Sequence, residues 1–557
     1  MTVIDGGRLF VQALKREGVN QIFTLSGGHI EPIHIGCIDE GVKILDVRHE
    51  QVAGHSAAGW FRATGEPGVA VVTAGPGVTD TVTGIAEAFY SESAMVVLGG
   101  QTRLSQIDMG APQNLPHVTL LESITKWSAT IYEPHRIPEY LSRALRIARS
   151  GTPGPVYLEA PLDILFAEFD EETIKFPATF RRPQSGASPA HVEETMELLA
   201  QAERPLVIAG NGVWADQVEG ELLEFAEQSQ VPVWMTNESR GVIPETHALA
   251  KGMFAAPLAD LVILMGVKCD YMLGYGQAPL IREDAKVVQV HADETVVGFN
   301  RDVDVGIAAN PKVVLAQLND ALKSAATPDR AAWHSELGGI AAQMAEEAEQ
   351  AYGSDSTPMH PARLSREVVE FLDDDAIVVP DGGDISYGFF GPCFQASTMG
   401  QVMITGALGC LGAGTGFALA AKMAHPDKQV MLFSGDGTFG LNGMEFDTFV
   451  RHSLPIVCVV ANDSAWGMVK HVRRMMAGNN KLAGSELSQN TRYEKVVEAL
   501  GGYGEFVEDI ADVKPALERA FASGLPACIN VAVRQDVWSA ATEGYKNSWG
   551  LAEAADR

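Results

Sequence analysis

The feature that most constrains the fold is the run Gly435-Asp436-Gly437, which is followed further along the chain by Asn462-Asp463. A hydrophobic run, Val430 to Phe433, precedes the glycines, and a helical stretch is predicted over Met444 to His452. A second hydrophobic run, Ile456 to Val460, ends at the Asn-Asp pair. This order predicts a βαβ unit, whose two strands are parallel and end at the same edge of the sheet.

That edge is where open α/β sheets bind ligands, so Asp436 and Asp463 are predicted to face one small cation. Mg²⁺ prefers carboxylates in combination with substrate phosphates. Gly435 and Gly437 would let the backbone approach a phosphate closely. The alternative is a structural turn with an unrelated acid nearby, because a Gly-Asp-Gly run alone is common in turns.

The overall composition limits the class of partner. The chain has 557 residues, enough for three or four domains of about 150 residues each. Its formal charge of −30 argues against nucleic acid and against anionic membrane surfaces, both of which need a basic face. We therefore expect a small-molecule substrate, and neither nucleic acid nor membrane as a partner.

Cysteine usage and the N-terminus predict a cytoplasmic location. The six cysteines are scattered, without a CxxC pair or a metal-ligand spacing, as in a reduced compartment. The first eighteen residues are typical of a charged amphipathic helix and not of a signal peptide. The weakly polar run from Gly406 to Ala421 is too short to span a bilayer and is predicted to be buried.

Hydrophobic runs and helical stretches alternate in three sections, which predicts an α/β fold with a repeated architecture. The sections cover residues 1–175, 190–330 and 358–545, and a tail follows at 546–557. A polar, proline-containing linker beginning at Phe180 separates the first two sections. An Ala/Glu-rich helical segment, 326–357, separates the second from the third.

The pattern around Asp436 resembles the diphosphate–metal motif of thiamine diphosphate (ThDP) enzymes. The resemblance implies three Rossmann-like domains, each with a parallel sheet. The N-terminal domain would bind the pyrimidine ring and the C-terminal domain the diphosphate, with a middle domain between them. It implies Asp436, Asp463 and the Ala465 carbonyl as Mg²⁺ ligands, with Gly435, Gly437, Thr438 and Asn462 completing the diphosphate site. The chain departs from the commoner motif, which has Asn where Asp463 stands.

Glu50 lies in Val47-Arg48-His49-Glu50, where a hydrophobic run ends and a helix is predicted to begin. In isolation, a glutamate in a first helical turn serves to offset the helix dipole. The resemblance implies instead that Glu50 is the activating glutamate, hydrogen-bonded to the pyrimidine N1′ of ThDP. In such enzymes the cofactor bridges two subunits, so a homodimer is expected as the minimum unit and a homotetramer as the assembly.

Three further positions are implied to contact the cofactor. Gly28 belongs to the ThDP site, the Gly409 carbonyl accepts the 4′-amino group, and Leu411 holds the two rings in a V. A leucine of a plain core helix is the alternative for Leu411. The middle section of related enzymes holds FAD, ADP or nothing. This chain has no glycine fingerprint there, so three possibilities stay open for its middle section: ADP or CoA, FAD, or an empty site.

The segment Phe23–Ile30 is similar to benzaldehyde lyase and to 2-hydroxyacyl-CoA lyases. The similarity implies that His29 shuttles protons and that Gln113 hydrogen-bonds the substrate oxygen. A surface amide is the alternative for Gln113. Tyr387 falls at a pocket tyrosine of benzaldehyde lyase, or is a core tyrosine.

Glu486 distinguishes the 2-hydroxyacyl-CoA lyases from benzaldehyde lyase. It lies in Gly484-Ser485-Glu486-Leu487, where an actinobacterial 2-hydroxyacyl-CoA lyase carries a catalytic glutamate and benzaldehyde lyase has a non-acidic residue. Leu120 and Ser485 would then border the acyl pocket. The alternative is a solvated acid in a polar loop.

The expected reaction is reversible cleavage of a 2-hydroxyacyl-CoA to formyl-CoA and an aldehyde or ketone, with ThDP and Mg²⁺. Cleavage or formation of free 2-hydroxyketones, acetolactate synthase-like condensation of 2-oxo acids, and a non-catalytic ThDP fold are the alternatives. Basic residues at the pocket mouth would hold the CoA phosphates, and five are candidates. They are Lys251, Lys268, Lys470, Arg473 and Arg474.

Overall fold

The computed structural model describes residues 3–179, 183–218, 220–478, 481–489 and 491–548. Residues 180–182 of the predicted linker and 549–557 of the predicted tail lie outside these ranges. The chain forms three α/β units, each built on one parallel sheet. The predicted fold class, three Rossmann-like domains with parallel sheets, is confirmed.

The N-terminal domain has a six-stranded parallel sheet in the order β3-β2-β4-β5-β7-β6, and β1 pairs antiparallel with β8 beside it. Its strands are β1 (Val3–Asp5), β2 (Gln21–Thr24), β3 (Lys43–Asp46), β4 (Gly68–Val72), β5 (Met95–Gln101), β6 (Trp127–Thr130), β7 (Pro155–Pro161) and β8 (Glu168–Asp170). Its helices are α1 (Gly6–Arg16), α2 (Glu31–Glu40), α3 (Glu50–Thr64), α4 (Pro76–Tyr90), α5 (His117–Leu121), α6 (Ile137–Arg149) and α7 (Leu162–Leu165).

The middle domain has a six-stranded parallel sheet in the order β11-β10-β9-β12-β13-β14, so the strand order reverses between β9 and β12. Its strands are β9 (Pro205–Ala209), β10 (Val233–Met235), β11 (Ala250–Lys251), β12 (Leu261–Met265), β13 (Lys286–His291) and β14 (Val305–Ala308). Its helices are α8 (Pro189–Gln201), α9 (Asn211–Ala215), α10 (Glu221–Ser229) and α11 (Pro311–Leu322). The predicted helical connection to the third domain is α12 (Ala331–Tyr352).

The C-terminal domain has a five-stranded parallel sheet in the order β15-β16-β17-β19-β18. Its strands are β15 (Ile377–Asp381), β16 (Val430–Gly435), β17 (Val457–Asn462), β18 (Tyr503–Val507) and β19 (Ala527–Ala532). Its helices are α13 (Pro361–Phe371), α14 (Gly391–Cys393), α15 (Gly414–Ala424), α16 (Asp436–Asn442), α17 (Phe446–Arg451), α18 (Gly467–Ala477), α19 (Tyr493–Ala499), α20 (Ile510–Ala522) and α21 (Ala540–Ser548).

The central strands are buried along their whole length because helices cover both faces of each sheet. Every residue of β4, β5 and β7 is buried, and so is every residue of β9 and β12. Within the described residues, none of the helices combines the length and the apolar character that a membrane span needs.

One predicted element differs from the structure. The helix expected over Met444 to His452 is preceded by α16, which starts at Asp436 directly after the strand β16. A 3₁₀ turn, Gly443–Glu445, then leads into the short α17. Asp436 and Gly437 therefore form the first turn of a helix and not a separate loop, which points the backbone N–H groups of that turn at the sheet edge.

The N-terminal and C-terminal domains of one chain pack together through α3 and α15. Small residues make the approach close, since a Cβ atom on Gly416 would lie 2.6 Å from the Cβ of His55. A Cβ on Gly59 would lie 3.0 Å from Phe417. The backbone N–H of Arg48 also donates to Glu445 at 2.8 Å, so the segment before Glu50 is held by the C-terminal domain.

Candidate active site

Glu50 is the first residue of α3, at the carboxyl edge of the N-terminal sheet. His49 is the N-cap, and its side chain accepts a hydrogen bond from the N–H of Gln51. The Glu50 side chain is buried, and burial raises the pKa of its carboxyl above the ordinary value. A raised pKa favours the protonated carboxyl, which can donate a hydrogen bond to a ring nitrogen, as the predicted role requires.

His29 and Gln113, distant in sequence, meet at the hydroxyl of Thr73, just beyond the end of β4. The Thr73 hydroxyl donates to Gln113 Oε1 at 3.4 Å and lies 3.4 Å from His29 Nδ1. Since that hydroxyl donates to Gln113, His29 Nδ1 can donate to Thr73, which leaves Nε2 free to accept a proton. Burial lowers the pKa of His29, so the ring is neutral at pH 7.

Glu50 borders the same cluster. A Cβ atom placed on Gly77 would lie 2.8 Å from Thr73 Cγ2 and 3.5 Å from Glu50 Oε1, so both side chains pack against the first turn of α4. The sequence predicts no site role for Thr73, which directly follows the buried strand β4. A hydroxyl that hydrogen-bonds two side chains from distant parts of the chain has no local sequence signal.

The predicted cation ligands Asp436 and Asp463 are brought together. Both side chains are buried and hydrogen-bonded to each other, at the carboxyl ends of the adjacent strands β16 and β17. Asp436 Oδ2 is buried without a hydrogen-bond partner. Burial and the neighbouring carboxylate raise the pKa of Asp463 well above its usual range. An orphaned oxygen and two carboxyls at one point fit a divalent cation.

The surrounding backbone fits a diphosphate. A Cβ on Gly435 would meet open space, whereas Gly437 packs against the Trp466 ring, so of the two only Gly435 has room beside it for a diphosphate. Asn462 shapes the following turn, because its Oδ1 accepts from the N–H of Ser464 at 3.1 Å. Thr438 is buried in the first turn of α16. Among the described residues, no group of three or more His, Cys, Asp and Glu side chains could hold a metal, so the remaining ligands would be carbonyl and phosphate oxygens.

Ala465 and Glu486 lie side by side, since they form an antiparallel β-bridge. The Glu486 carboxyl is largely exposed and pairs with the buried ammonium of Lys470 at 3.1 Å. Ser485 is buried, and its hydroxyl donates to the carbonyl of Leu482. Lys470 belongs to α18, together with the candidate CoA-binding residues Arg473 and Arg474.

The other predicted positions are placed as follows. Gly28 and Gly409 both have open space where a Cβ would be, and Gly409 has a positive φ of 64°. Leu411 is half-buried, and Leu120 is exposed. Tyr387 is half-buried, and its hydroxyl donates to the carbonyl of Thr405 at 3.2 Å.

The loop that carries Gly409 and Leu411 is tied down at both ends by buried carboxyls. Gly406 N–H donates to Glu87 of α4 at 2.8 Å, and Gly412 N–H donates to Asp381 at 3.0 Å. Burial raises the pKa of Glu87 to about 7. These anchors are long-range contacts that the sequence pattern could not indicate.

The middle domain reverses its strand order beside Asn211, where a nucleotide site would be expected. The Asn211 side chain is occupied by protein contacts. Arg62 of α3 donates to its Oδ1 at 2.7 Å, and its Nδ2 donates to the carbonyls of Ser91 and Glu92. Arg62 also donates to the backbone of Glu238, so the N-terminal domain contacts one side of this crevice.

The glycines at this point serve packing. A Cβ on Gly212 would lie 2.8 Å from the Cα of Gly266, and the crevice is lined by the carboxylates of Glu92, Glu238 and Asp270. Lys268, one of the candidate CoA-binding residues, pairs with Glu92 at 3.3 Å. Lys251, another, is in the edge strand β11. These residues do not fit a diphosphate.

Comparison with known proteins identifies the family. Three models match in order: the N-terminal TPP-binding domain of thiamine pyrophosphate enzymes at residues 4–120, the central domain at 192–318 and the C-terminal TPP-binding domain at 386–531. The chain is also 37% identical to the acetolactate synthase large subunit of Mycobacterium tuberculosis over 534 residues, which cover 95% of each chain. The chain belongs to the thiamine diphosphate-dependent enzymes.

Two further relatives carry the name 2-hydroxyacyl-CoA lyase 2. Human 2-hydroxyacyl-CoA lyase 2 is 30% identical over 583 residues, covering 96% of this chain and 90% of the relative. The lyase of Danio rerio is 31% identical over 563 residues, covering 92% of this chain and 89% of the relative. The chain is thus a ThDP enzyme of the acetolactate synthase and 2-hydroxyacyl-CoA lyase type.

Proposed function

We propose that the enzyme cleaves a 2-hydroxyacyl-CoA reversibly to formyl-CoA and an aldehyde or ketone, using ThDP and Mg²⁺. The observation that carries the proposal is the meeting of His29 and Gln113 at Thr73, against the same turn as the activating Glu50. This arrangement offers a neutral base and an amide donor to one substrate oxygen, which a 2-hydroxyacyl group presents.

The chain's residues divide the work. Bound ThDP supplies the electron sink for breaking the carbon–carbon bond. Glu50 holds its proton toward the pyrimidine N1′. His29 Nε2 takes the proton from the substrate hydroxyl as the carbonyl of the leaving aldehyde or ketone forms, and Gln113 orients that oxygen. The acyl carbon must gain a proton to leave as formyl-CoA, so the reaction needs no oxidant.

Glu486 is the proposed donor of that second proton, which its exposed carboxylate first takes up from solvent. Its backbone lies beside Ala465, and its pairing with the buried Lys470 limits where the exposed carboxylate can point. Leu120, Ser485 and Tyr387 are proposed to border the acyl pocket. Arg473 and Arg474 of α18 are proposed to face the CoA phosphates, whereas Lys470 of the same helix is buried and paired with Glu486.

We further propose that Mg²⁺ is held by Asp436, Asp463 and the Ala465 carbonyl, and that Gly28, Gly409 and Leu411 contact the cofactor. The Glu50 and Asp436 groups belong to different domains, so a cofactor shared between subunits is the expected arrangement. We therefore propose a homodimer as the minimum unit, a homotetramer as the assembly and the cytoplasm as the location.

Acetolactate synthase-like condensation of 2-oxo acids is the second candidate, favoured by the 37% identity to a protein of that name. The Gly28-His29 pair is the feature that disfavours it. Cleavage of free 2-hydroxyketones, as in benzaldehyde lyase, uses the same His29 and Gln113 and differs in not needing a site for CoA.

In the test, purified enzyme with bound ThDP and Mg²⁺ is assayed in parallel on three substrates, namely a short 2-hydroxyacyl-CoA, benzoin and pyruvate. Release of aldehyde or ketone from the CoA ester, without comparable turnover of the other two, is the expected result. Turnover of pyruvate alone would make the enzyme an acetolactate synthase. Turnover of benzoin alone would make it a carboligase of free hydroxyketones, and either result would overturn the proposal.

A further inference from the structure

A buried chain of hydrogen bonds lies behind Gln113, outside the residues to which the proposed function gives a role. His117, the first residue of α5, is fully buried, and its Nε2 accepts a hydrogen bond from the N–H of Gly75 at 2.9 Å. Its Nδ1 lies 2.7 Å from Oε2 of the buried Glu159, near the end of β7. The two ring nitrogens thus join two segments that are far apart in sequence.

These partners fix the tautomer of His117. A backbone N–H only donates, so Nε2 must be unprotonated, and Nδ1 must carry the proton that it donates to Glu159. Glu159 also accepts from Gln101 Nε2 at 3.0 Å and from the Thr130 hydroxyl at 2.8 Å. Three donors converge on one carboxylate, which fixes its position against the His117 ring.

Gly75 connects this pair to the site. Its φ is +61°, and a Cβ there would lie 2.9 Å from both Cα and Cβ of Gln113, so the two backbones are in direct contact. Gln113 itself has a positive φ of 61° and starts the five-residue stretch that ends at His117. His117 therefore holds both the turn and the segment that place the Gln113 amide.

We propose that His117 and Glu159 are positioning residues for Gln113, and through it for His29, by locking the turn at Gly75. The inference rests on the proposed function, because it assigns the pair a purpose in orienting the substrate oxygen. Neither residue touches that oxygen itself.

Glu159→Gln is the most discriminating variant, because it is nearly isosteric. Its amide oxygen can replace Oε2 opposite His117 and Gln101, while the amide N–H groups face the Thr130 hydroxyl. A neutral amide binds the His117 Nδ1–H less strongly than a carboxylate does, so the ring and the turn at Gly75 are held less firmly. A displacement of about 1 Å at a reacting group costs about 100-fold in rate, so we expect the smaller displacement here to lower kcat/KM about ten-fold.

The assay measures the cleavage rate, the affinity for ThDP with Mg²⁺ by tryptophan fluorescence, and Tm. We expect the Glu159→Gln enzyme to bind the cofactor as the wild type does. We also expect no further loss when Glu159→Gln is added to Gln113→Ala, because both act through the same amide. Glu168→Gln, an exposed acid on β8, is the control and should leave the rate unchanged.

A wild-type rate for Glu159→Gln, or losses that multiply with Gln113→Ala, would overturn the positioning role. If Glu159→Gln does not fold, His117→Gln and His117→Phe replace it. A glutamine at position 117 can still accept a hydrogen bond from the Gly75 N–H, which a phenylalanine cannot. We therefore expect kcat/KM of His117→Gln to be at least ten-fold higher than that of His117→Phe, and equal values would contradict the proposal. Failure of the proposed function is recognised separately, because the wild type would then cleave no 2-hydroxyacyl-CoA. The positioning pair would still be judged by the ¹⁵N signals of His117, which should report the Nδ1–H tautomer in the wild type and a larger share of the Nε2–H tautomer in Glu159→Gln.

Discussion

Asp436 and Asp463 meet as a buried, hydrogen-bonded pair of carboxyl groups at the ends of two adjacent parallel strands. Two such groups cannot both be ionised cheaply without a cation between them. The position of Asp463 carries Asn in the commoner form of the motif, so the extra charge is a property of this chain.

Asp463→Asn is predicted to stabilise the metal-free enzyme and to weaken its hold on Mg²⁺. The amide keeps the hydrogen bond to Asp436 and removes the like charge. A gain of about 1 kcal/mol would raise Tm by about 2–4 °C in a domain of this size. Melting curves with and without Mg²⁺ and ThDP check this, with the exposed Asp427→Asn as control. A lower Tm without metal would show that the two carboxyls do not repel.

The acid limb of activity is predicted to lie below pH 6.5 and to depend on His29. Burial lowers the pKa of His29 below its ordinary value, so the neutral base persists as pH falls to 6.5 and is lost only as protonation sets in below that. The pH profile of kcat/KM measures this limb. His29→Ala should lower kcat/KM about 100-fold and remove the limb, whereas the exposed His135→Asn should leave it in place. A limb retained in His29→Ala would assign it to another group.

Glu486→Ala is predicted to slow cleavage about ten-fold or more, a modest loss for a general acid. The expected signature is a fall in kcat with unchanged affinity for ThDP and Mg²⁺, because Glu486 neighbours the metal segment only through its backbone. Glu508→Ala, an exposed acid of the same domain, is the matched control. An unchanged kcat would leave Glu486 as the solvated partner of Lys470.

The middle domain is predicted to bind neither FAD nor ADP tightly. Arg62 and Asn211 fill the point where the strand order reverses, and the carboxylate of Glu238 lines it. Absorbance of the purified enzyme near 450 nm tests for FAD, and calorimetric titration with ADP tests for the nucleotide. A flavin spectrum, or heat of binding that persists after removal of ThDP, would contradict this.

The strands were largely predictable, because buried parallel strands are continuous hydrophobic runs. The hydrophobic runs Pro205–Ala209 and Leu261–Met265 coincide with β9 and β12. The hydrophobic run Val231–Trp234 only overlaps β10, Val233–Met235, because Pro232 has no N–H to donate to a neighbouring strand. The start of α16 at Asp436 was missed because a glycine-flanked acid is as typical of a turn as of a helix start.

The site was predictable where its residues follow strand ends. Asp436 and Asp463 directly follow the adjacent parallel strands β16 and β17, so the strand order of the sheet brings the two side chains together. Thr73, His117 and Glu159 could not be predicted, because their roles depend on contacts between distant segments. A lone buried histidine is usually a satisfied core residue, and only the two bonds of its ring identify His117 as more.

The central claim is that the Glu50 half of one subunit and the Asp436 half of another form a single ThDP site. Glu50→Gln and Asp436→Ala are each predicted to abolish turnover with Tm close to wild type, with the exposed Glu193→Gln as control. The decisive measurement is turnover after the two inactive variants are unfolded together and refolded as mixed dimers.

A mixed dimer has one site that combines the intact Glu50 of one subunit with the intact Asp436 of the other. The account predicts that mixing restores about a quarter of wild-type activity, because half of the dimers are mixed and each has one working site. Activity that stays at the level of the separate variants would place both halves in one chain and contradict the account.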